Sequence, residues 1–239
     1  RDKLQRHLKP FGSDMTGLVV LANTRILDVR KGILTDTQDI VIERDRIIDI
    51  NHNVTLKNDH RRIDLKGRIS LPGLCDAHVH VTAATPNFPE LMRWSPYYTT
   101  ARASQILKNM LMRGFTTVRD AGGAEFGLAR AVEEGFLTGP RILFCGKALS
   151  QTGGHGDMRE PGENFESCLC CAGLGRVCDG VSAVRNACRD EIRKGANQIK
   201  IMASGGVASP TDRISSSQFS LEEISAAVEE ATNANIYVM

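Results

Sequence analysis

The chain lacks a strong net charge. Thirty lysines and arginines face 28 aspartates and glutamates, a formal balance of +2 over 239 residues. A field that weak draws a protein neither to nucleic acid nor to an anionic membrane surface. The chain also lacks any apolar run near the roughly 20 residues that a membrane-spanning helix requires. It opens at Arg1 without a charged-then-apolar leader; the expectation is a cytoplasmic protein or, if a leader has been removed, a secreted one. A disulfide framework is missing too, because the seven cysteines are odd in number and spread along a long chain, unlike the staples of a small secreted domain. Cys168, Cys170, Cys171 and Cys178 do cluster in one Gly-containing loop, with Cys168 and Cys171 in CxxC spacing. A zinc site there would want a second CxxC pair, which is absent; a reduced cluster and a single disulfide are the other readings. With 41% hydrophobic and 24% charged residues, the composition is that of a globular protein.

What is present divides into three parts. Residues 1–16 are polar and irregular and read as an arm. From 17 to 68 short apolar or alternating runs follow one another: Leu18–Leu21, Arg25–Val29, Asp39–Glu43, Arg46–Ile50 and Arg62–Leu65. They predict a small antiparallel β domain, part of a β-sandwich, poor in large aromatics and in need of further strands to complete its core. From 69 to 239 strands and helices alternate. Strands are expected at 69–81, 115–119, 141–145, 198–202 and 235–239. Helices are expected at 99–113, 127–136 and 181–194, the last closed by Gly195, and Ser220-Leu221-Glu222-Glu223 reads as a capping box opening another. Repeated β-α units make an α/β fold with a parallel sheet. An open nucleotide-binding sheet would carry a Gly-rich loop after its first strand, where this chain has His78-Val79-His80-Val81-Thr82. The alternative is a (β/α)8 TIM barrel, of which strands one to five make about the first half. Half a barrel leaves two open edges, so the expectation is a piece of a longer enzyme.

Barrel function sits at the C-terminal strand ends, and the chemistry-bearing residues fall there. Asp76-Ala77-His78-Val79-His80 closes the first strand. Residues two apart on a strand share a face, so both imidazoles can converge on one metal ion. Two unconnected histidines are the bland reading of so short a motif. Lys200 lies in the fourth strand, between Ile199 and Ile201. Facing inward it must be neutralised, paired or modified; facing outward it would snorkel past a helix. An ammonium has no lone pair for a cation, whereas the carbamate formed with carbon dioxide is anionic and offers two oxygens.

Several motifs carry a family resemblance. Leu71-Pro72-Gly73-Leu74-Cys75-Asp76-Ala77-His78-Val79-His80 resembles the first-strand signature of the amidohydrolase superfamily. Gly114–Asp120 resembles its second strand, and Ile199-Lys200-Ile201-Met202-Ala203-Ser204-Gly205-Gly206 the strand of its carboxylated lysine. Ala148–Asp157, with Gly153-Gly154-His155, is similar to the branch of Xaa-Pro dipeptidases, metallo-carboxypeptidases and fungal ochratoxinase, ochratoxinase above all. The resemblance spans 17–239. It implies two divalent metal ions, zinc in most members, with His78 and His80 on the more buried ion and the Lys200 carbamate bridging both. A hydroxide between the metals would attack the substrate carbonyl. Histidines from the fifth and sixth strands and a proton-shuttling aspartate from the eighth complete the family's site; the sequence stops at Met239, before those positions. This donor set also accepts manganese or cobalt.

His155 follows the Gly-Gly turn and is expected to touch substrate, at a carboxylate or the scissile carbonyl; a loop histidine bonded to backbone is the alternative. Asp76 could orient His78 or His80 or cap the strand end. Arg119 and Asp120 read as a structural salt bridge, Gly205 and Gly206 as points where backbone approaches the metal site or substrate, and His7, His52 and His60 as solvated. The expected activity is metal-dependent hydrolysis of an amide in a small substrate with a C-terminal amino acid: a dipeptide, an N-acyl amino acid or an ochratoxin-like amide. The expected partner is that small molecule, with no nucleic acid and no membrane, and the family suggests a homo-oligomer. A cyclic-amide hydrolase of the hydantoinase or dihydroorotase type would also use Lys200, but the Gly153-Gly154-His155 loop points away from it. Mononuclear deaminases have no need of Lys200. A non-catalytic scaffold on the same fold is the reading from a different class.

Overall fold

The computed structural model describes residues 17–56, 60–165, 168 and 172–239; the expected arm at 1–16, His7, Cys170 and Cys171 lie outside the described residues. The chain forms two compact units, 1–73 and 74–239.

The first unit is one sheet of β1 (Leu18–Asp28), β2 (Ile33–Glu43), β3 (Arg46–Asn51), β4 (His60–Asp64) and β5 (Ile69–Ser70), in the order β3-β2-β1-β4, with β5 on the far end of β1. Alternation aims Val20, Ala22 and Thr24 of β1 at the same buried face as Val41 and Asp39 of β2. Asp39 is satisfied there by the Asn23 and Val54 N–H groups and by Arg62 Nη2 at 2.8 Å. The expected antiparallel sheet is in fact mixed. Leu18–Ala22 of β1 run parallel to His60–Asp64 of β4, whereas β1 and β3 both pair antiparallel to β2. The isoleucines of β3 (Ile47, Ile48 and Ile50) are exposed. The expected solvated His52 is exposed and touches the Thr37 carbonyl through Nδ1, whereas His60 is half-buried at the head of β4.

The expected strand 69–81 is divided between two sheets. Ile69 and Ser70 pair with Arg25 and Ile26 in the first unit, while Leu74–Val79 (β6) pairs with β7 in the second. Pro72 has no N–H to carry a ladder through the gap.

The second unit continues with α1 (Phe88–Arg93), α2 (Pro96–Met112), β7 (Phe115–Asp120), α3 (Phe126–Glu133), β8 (Arg141–Phe144), β9 (Ala148–Ser150), β10 (Gly175–Val177), α4 (Val181–Arg193), β11 (Gln198–Ile199), α5 (Leu221–Asn233) and β12 (Tyr237–Val238). β6, β7 and β8 are parallel neighbours, as are β11 and β12. Backbone bonds from Asn197 to Phe144, from Leu149 to Lys200 and from Met202 to Leu149 join the two sets. Ala103, Leu107 and Met110 recur at helical spacing along α2 and pack with Leu128 of α3 against Val118, Ile142 and Phe144. Val184, Ala187 and Cys188 of α4 meet Ala226, Ala227 and Ala231 of α5 over Leu149, Ile199 and Ile201. Lys194 ends α4 and Gly195 follows at φ +93°, the left-handed turn that closes a helix.

The capping box forms as the sequence predicts. Ser220 Oγ accepts from the Glu223 N–H, and Glu223 Oε2 accepts from the Ser220 N–H at 2.7 Å. Glu223 Oε1 also takes the Gly180 N–H at 2.6 Å, tying α5 to the start of α4. Ser220→Ala is expected to lower the unfolding free energy by about 1 kcal/mol, read as a shift of the urea midpoint at unchanged slope.

Candidate functional site

Asp76, His78 and His80 alternate along the end of β6, and the two rings meet edge to face with centroids 5.4 Å apart. Asp76 takes the second of its expected roles. Its Oδ1 accepts the His78 backbone N–H at 3.1 Å, capping the strand end instead of reaching a ring. His80 Nδ1 lies 3.0 Å from the Gly122 carbonyl. A carbonyl only accepts, so Nδ1 carries the proton and Nε2 keeps a lone pair, the form in which a histidine binds metal.

Gly122 is placed by Asp120. That carboxylate is fully buried and accepts three backbone N–H groups, from Val81 at 2.7 Å and from Gly122 and Ala124 at 3.0 Å each. Burial pushes its pKa up to about 6, against the pull of those bonds and of His80. Gly122 itself stands at φ +150°, and a Cβ there would come within 2.9 Å of the Leu174 carbonyl. The expected Arg119–Asp120 salt bridge does not form. Arg119 instead donates Nε to the Ala77 carbonyl at 2.7 Å and Nη1 to Tyr237 Oη at 3.0 Å, linking β7 to β6 and β12. Sequence reasoning missed both arrangements. An Asp followed by Ala-Gly-Gly was the available signal for a carboxylate holding a loop.

Lys200 lies between β11 and the pairing of Ile201 with Leu149. It is half-buried, and its side-chain amine has no hydrogen-bond or ion-pair partner among the described residues. Burial holds its pKa below the ordinary lysine value; Arg119 pushes the same way and Cys145 the other. The His78 pKa is lowered first by burial, then by the Lys200, His80 and Arg119 charges, against Asp76. Among the described residues no set of three His, Cys, Asp or Glu side chains is placed to hold a metal. The expected donors are the His78–His80 pair and Lys200, and Lys200 could serve only through its neutral form, which burial favours.

His155 has contacts of its own. Its Nδ1 is 2.8 Å from Ser209 Oγ and 3.9 Å from Asp212, and its N–H donates to Gln218 Oε1 at 3.0 Å. Gly206 backs the ring, where a Cβ would meet Cε1 at 2.1 Å. The close approach expected at Gly206 is therefore to His155. The cysteine loop supplies no zinc site from its described members. Cys168 is disulfide-bonded, and Cys178 and Cys188 are buried thiols whose burial raises their pKa to about 12 and about 11.

The amidohydrolase family model matches residues 69–239. Ochratoxinase of Aspergillus niger is 37% identical over 180 residues, covering 70% of this chain and 38% of its own length; its crystal structure superposes with a TM-score of 0.75 at 29% identity, over 94% of this chain and 55% of that one. A prolidase solved with N-methylphosphonate-L-proline gives a TM-score of 0.88 at 48% identity, over 93% of this chain and 55% of that one. A Xaa-Pro dipeptidase with bound methionine gives 0.78 at 29% identity, over 92% and 55%. The chain thus spans about half of these solved relatives' length or less. The likeness makes the fold one of the TIM-barrel type.

Two variants test the site's energetics. Asp120→Asn puts an NH2 where one carboxylate oxygen accepts N–H groups and should destabilise by about 1–3 kcal/mol, measured by urea unfolding. Lys200→Met should raise the thermal midpoint of chelator-treated protein. Since the folded state depresses the Lys200 pKa, the wild type's deficit is full below the folded pKa and shrinks as pH rises from the folded toward the unfolded lysine pKa.

Proposed function

The chain belongs to the amidohydrolase family, and on that footing we propose a metal-dependent hydrolase that cleaves the amide bond of a small substrate ending in a free amino acid. Dipeptides, N-acyl amino acids and ochratoxin-like amides are the class. The relatives support it: one is an ochratoxinase, and another is a prolidase whose ligand ends in L-proline. The activity is proposed for these residues within a chain of the relatives' length. In it, residues 69–239 supply the first five strands of a (β/α)8 barrel and residues 17–68 part of a β-sandwich.

The observation that carries this reading is Lys200, half-buried and with no partner for its side-chain amine among the described residues. A neutral amine there can add to carbon dioxide, forming an N–C bond and releasing a proton, and the resulting carbamate is an anion with two oxygens. Lys200 in that form, with His78 and His80, would hold two divalent ions, zinc first. Such ions, when bound, make water acidic and polarise a carbonyl, the two demands of amide hydrolysis. His80 would contribute Nε2, since its Nδ1 proton is committed to Gly122. Arg119 keeps β6, β7 and β12 in register around these groups. His155 would contact the substrate at its carboxylate or scissile carbonyl.

Metal content is the test, by elemental analysis of the gel-filtered native protein in bicarbonate buffer. The expected result is about two ions per chain, and Lys200→Ala should lose both the metal and the hydrolysis of Xaa-Pro dipeptides and N-acyl amino acids, the activity by more than about a hundredfold. A metal-free native protein, or a Lys200→Ala variant as active as wild type, would overturn the proposal.

A further inference from the structure

We propose that Ser209 and Asp212 are positioning residues that hold His155 with its proton on Nδ1 and present Nε2 as the ring's free nitrogen. The argument is an inventory of protons. The Asp212 carboxylate is almost fully buried and holds its pKa below the usual range through bonds from Ser209, Gln218 and Gly206, against the cost of burial. Ionised, it can only accept. Gly206 N–H reaches Oδ2 at 3.2 Å and Gln218 Nε2 reaches Oδ2 at 2.8 Å. The Gln218 amide cannot be turned the other way, because its Oε1 receives the His155 backbone N–H. Ser209 Oγ is hydrogen-bonded to Asp212 Oδ1 as well. A hydroxyl has one proton, and against a carboxylate that proton must point at the carboxylate. Ser209 therefore meets His155 with a lone pair, and the 2.8 Å contact is Nδ1–H donating to Oγ.

The ring is fixed in orientation as well as in tautomer. Gly206 closes one side, and Gln218 holds the backbone of His155 itself. Nε2 has no hydrogen-bond partner among the described residues, and the side chain is 27% exposed. The segment after β11, residues 204–218, thus reaches the loop after β9 and sets which nitrogen of His155 is offered outward. The tautomer assignment stands on geometry alone; its effect on turnover rests on the proposed contact between His155 and substrate.

The experiment is two-bond 1H–15N correlation on the full-length protein labelled with 15N-histidine, with the His155 signal assigned by its loss in His155→Gln. The expected wild-type pattern is a protonated Nδ1 and an unprotonated Nε2. Ser209→Ala should move His155 to the Nε2–H pattern, and Ser209→Thr, which keeps a hydroxyl, should restore Nδ1–H. Asp212→Ala frees the Ser209 proton to turn toward the ring and should act like Ser209→Ala. Unchanged signals from the other histidines report an intact fold, and Ser209→Ala decides the matter if the Asp212 variant does not fold. On a hydrolysed substrate Ser209→Ala should lower kcat/KM about ten- to hundredfold, with recovery in Ser209→Thr. A wild-type ring protonated on Nε2, or a Ser209→Ala spectrum unchanged from wild type, would overturn the inference. If the spectra behave as expected while no amide is hydrolysed, the positioning role holds and the substrate reading falls.

Discussion

The site end of the second unit depends on one buried carboxylate. Asp120 has lost its water, and an unpartnered ion in that position would cost several kcal/mol. Three backbone N–H groups replace the water, and they come from both sides of a strand pair: Val81 beyond the end of β6, Gly122 and Ala124 in the turn after β7. Spanning the two, the carboxylate sets where the Gly122 carbonyl lies, and that carbonyl sets which nitrogen of His80 is protonated. Asp120 therefore governs His80 largely through backbone. Its backbone carbonyl takes part too, accepting from Nε2 of the buried Gln198 of β11 at 3.0 Å. A mobile turn could not hold an imidazole in one tautomer, and a turn held by exposed side chains would be competed for by water.

His80 and His155 illustrate two solutions to one problem. A histidine that is to use Nε2 must have Nδ1 occupied by an acceptor. At His80 the acceptor is a carbonyl, which can take no other role. At His155 it is a hydroxyl, which could equally donate; a buried carboxylate behind it removes the choice. Lys200 stands at the opposite extreme, its ammonium unpaired among the described residues in a half-buried position. Paired with a carboxylate it would be a stable ion, raised in pKa and inert toward carbon dioxide. The fold gives up that stabilisation at Lys200. The ion pairs of α4 and α5, Arg185 and Arg189 with Glu230, show that it supplies partners readily elsewhere.

The features legible in the sequence are those written in local chemistry. The capping box at Ser220, the turn after Lys194, the helical spacing of α2 and the two-residue spacing of His78 and His80 each lie within a few residues, where side-chain type and backbone conformation constrain each other directly. The rest depends on partners far along the chain. That β4 pairs parallel to β1 depends on a partner far back in the chain, and no local pattern records it. That Ile69 and Ser70 belong to one sheet and Leu74–Val79 to another follows from which strand each finds, Arg25 and Ile26 for the first and β7 for the second. Adjacent Arg119 and Asp120 invited a salt bridge, yet neighbours on a strand point to opposite faces, and each met different company. Short α1 was missed because Pro89 and Pro96 frame it as loop.

Arg119 gives the positive charge near Lys200 its meaning. The guanidinium is held by a carbonyl and a phenol, neither of which cancels its charge, and it lies over the Tyr237 ring at 5.7 Å. Burial is the main cause of the lowered pKa values of Lys200 and His78, and the Arg119 field adds to it at both. On the proposed reading the same field then favours what Lys200 becomes, because a carbamate is an anion. One fixed cation would thus push the amine toward its reactive neutral form and stabilise the modified product, two steps that a carboxylate in its place would oppose. The unpaired lysine amine and the uncompensated arginine are in that sense one electrostatic arrangement, suited to an anion that the bare chain does not itself provide.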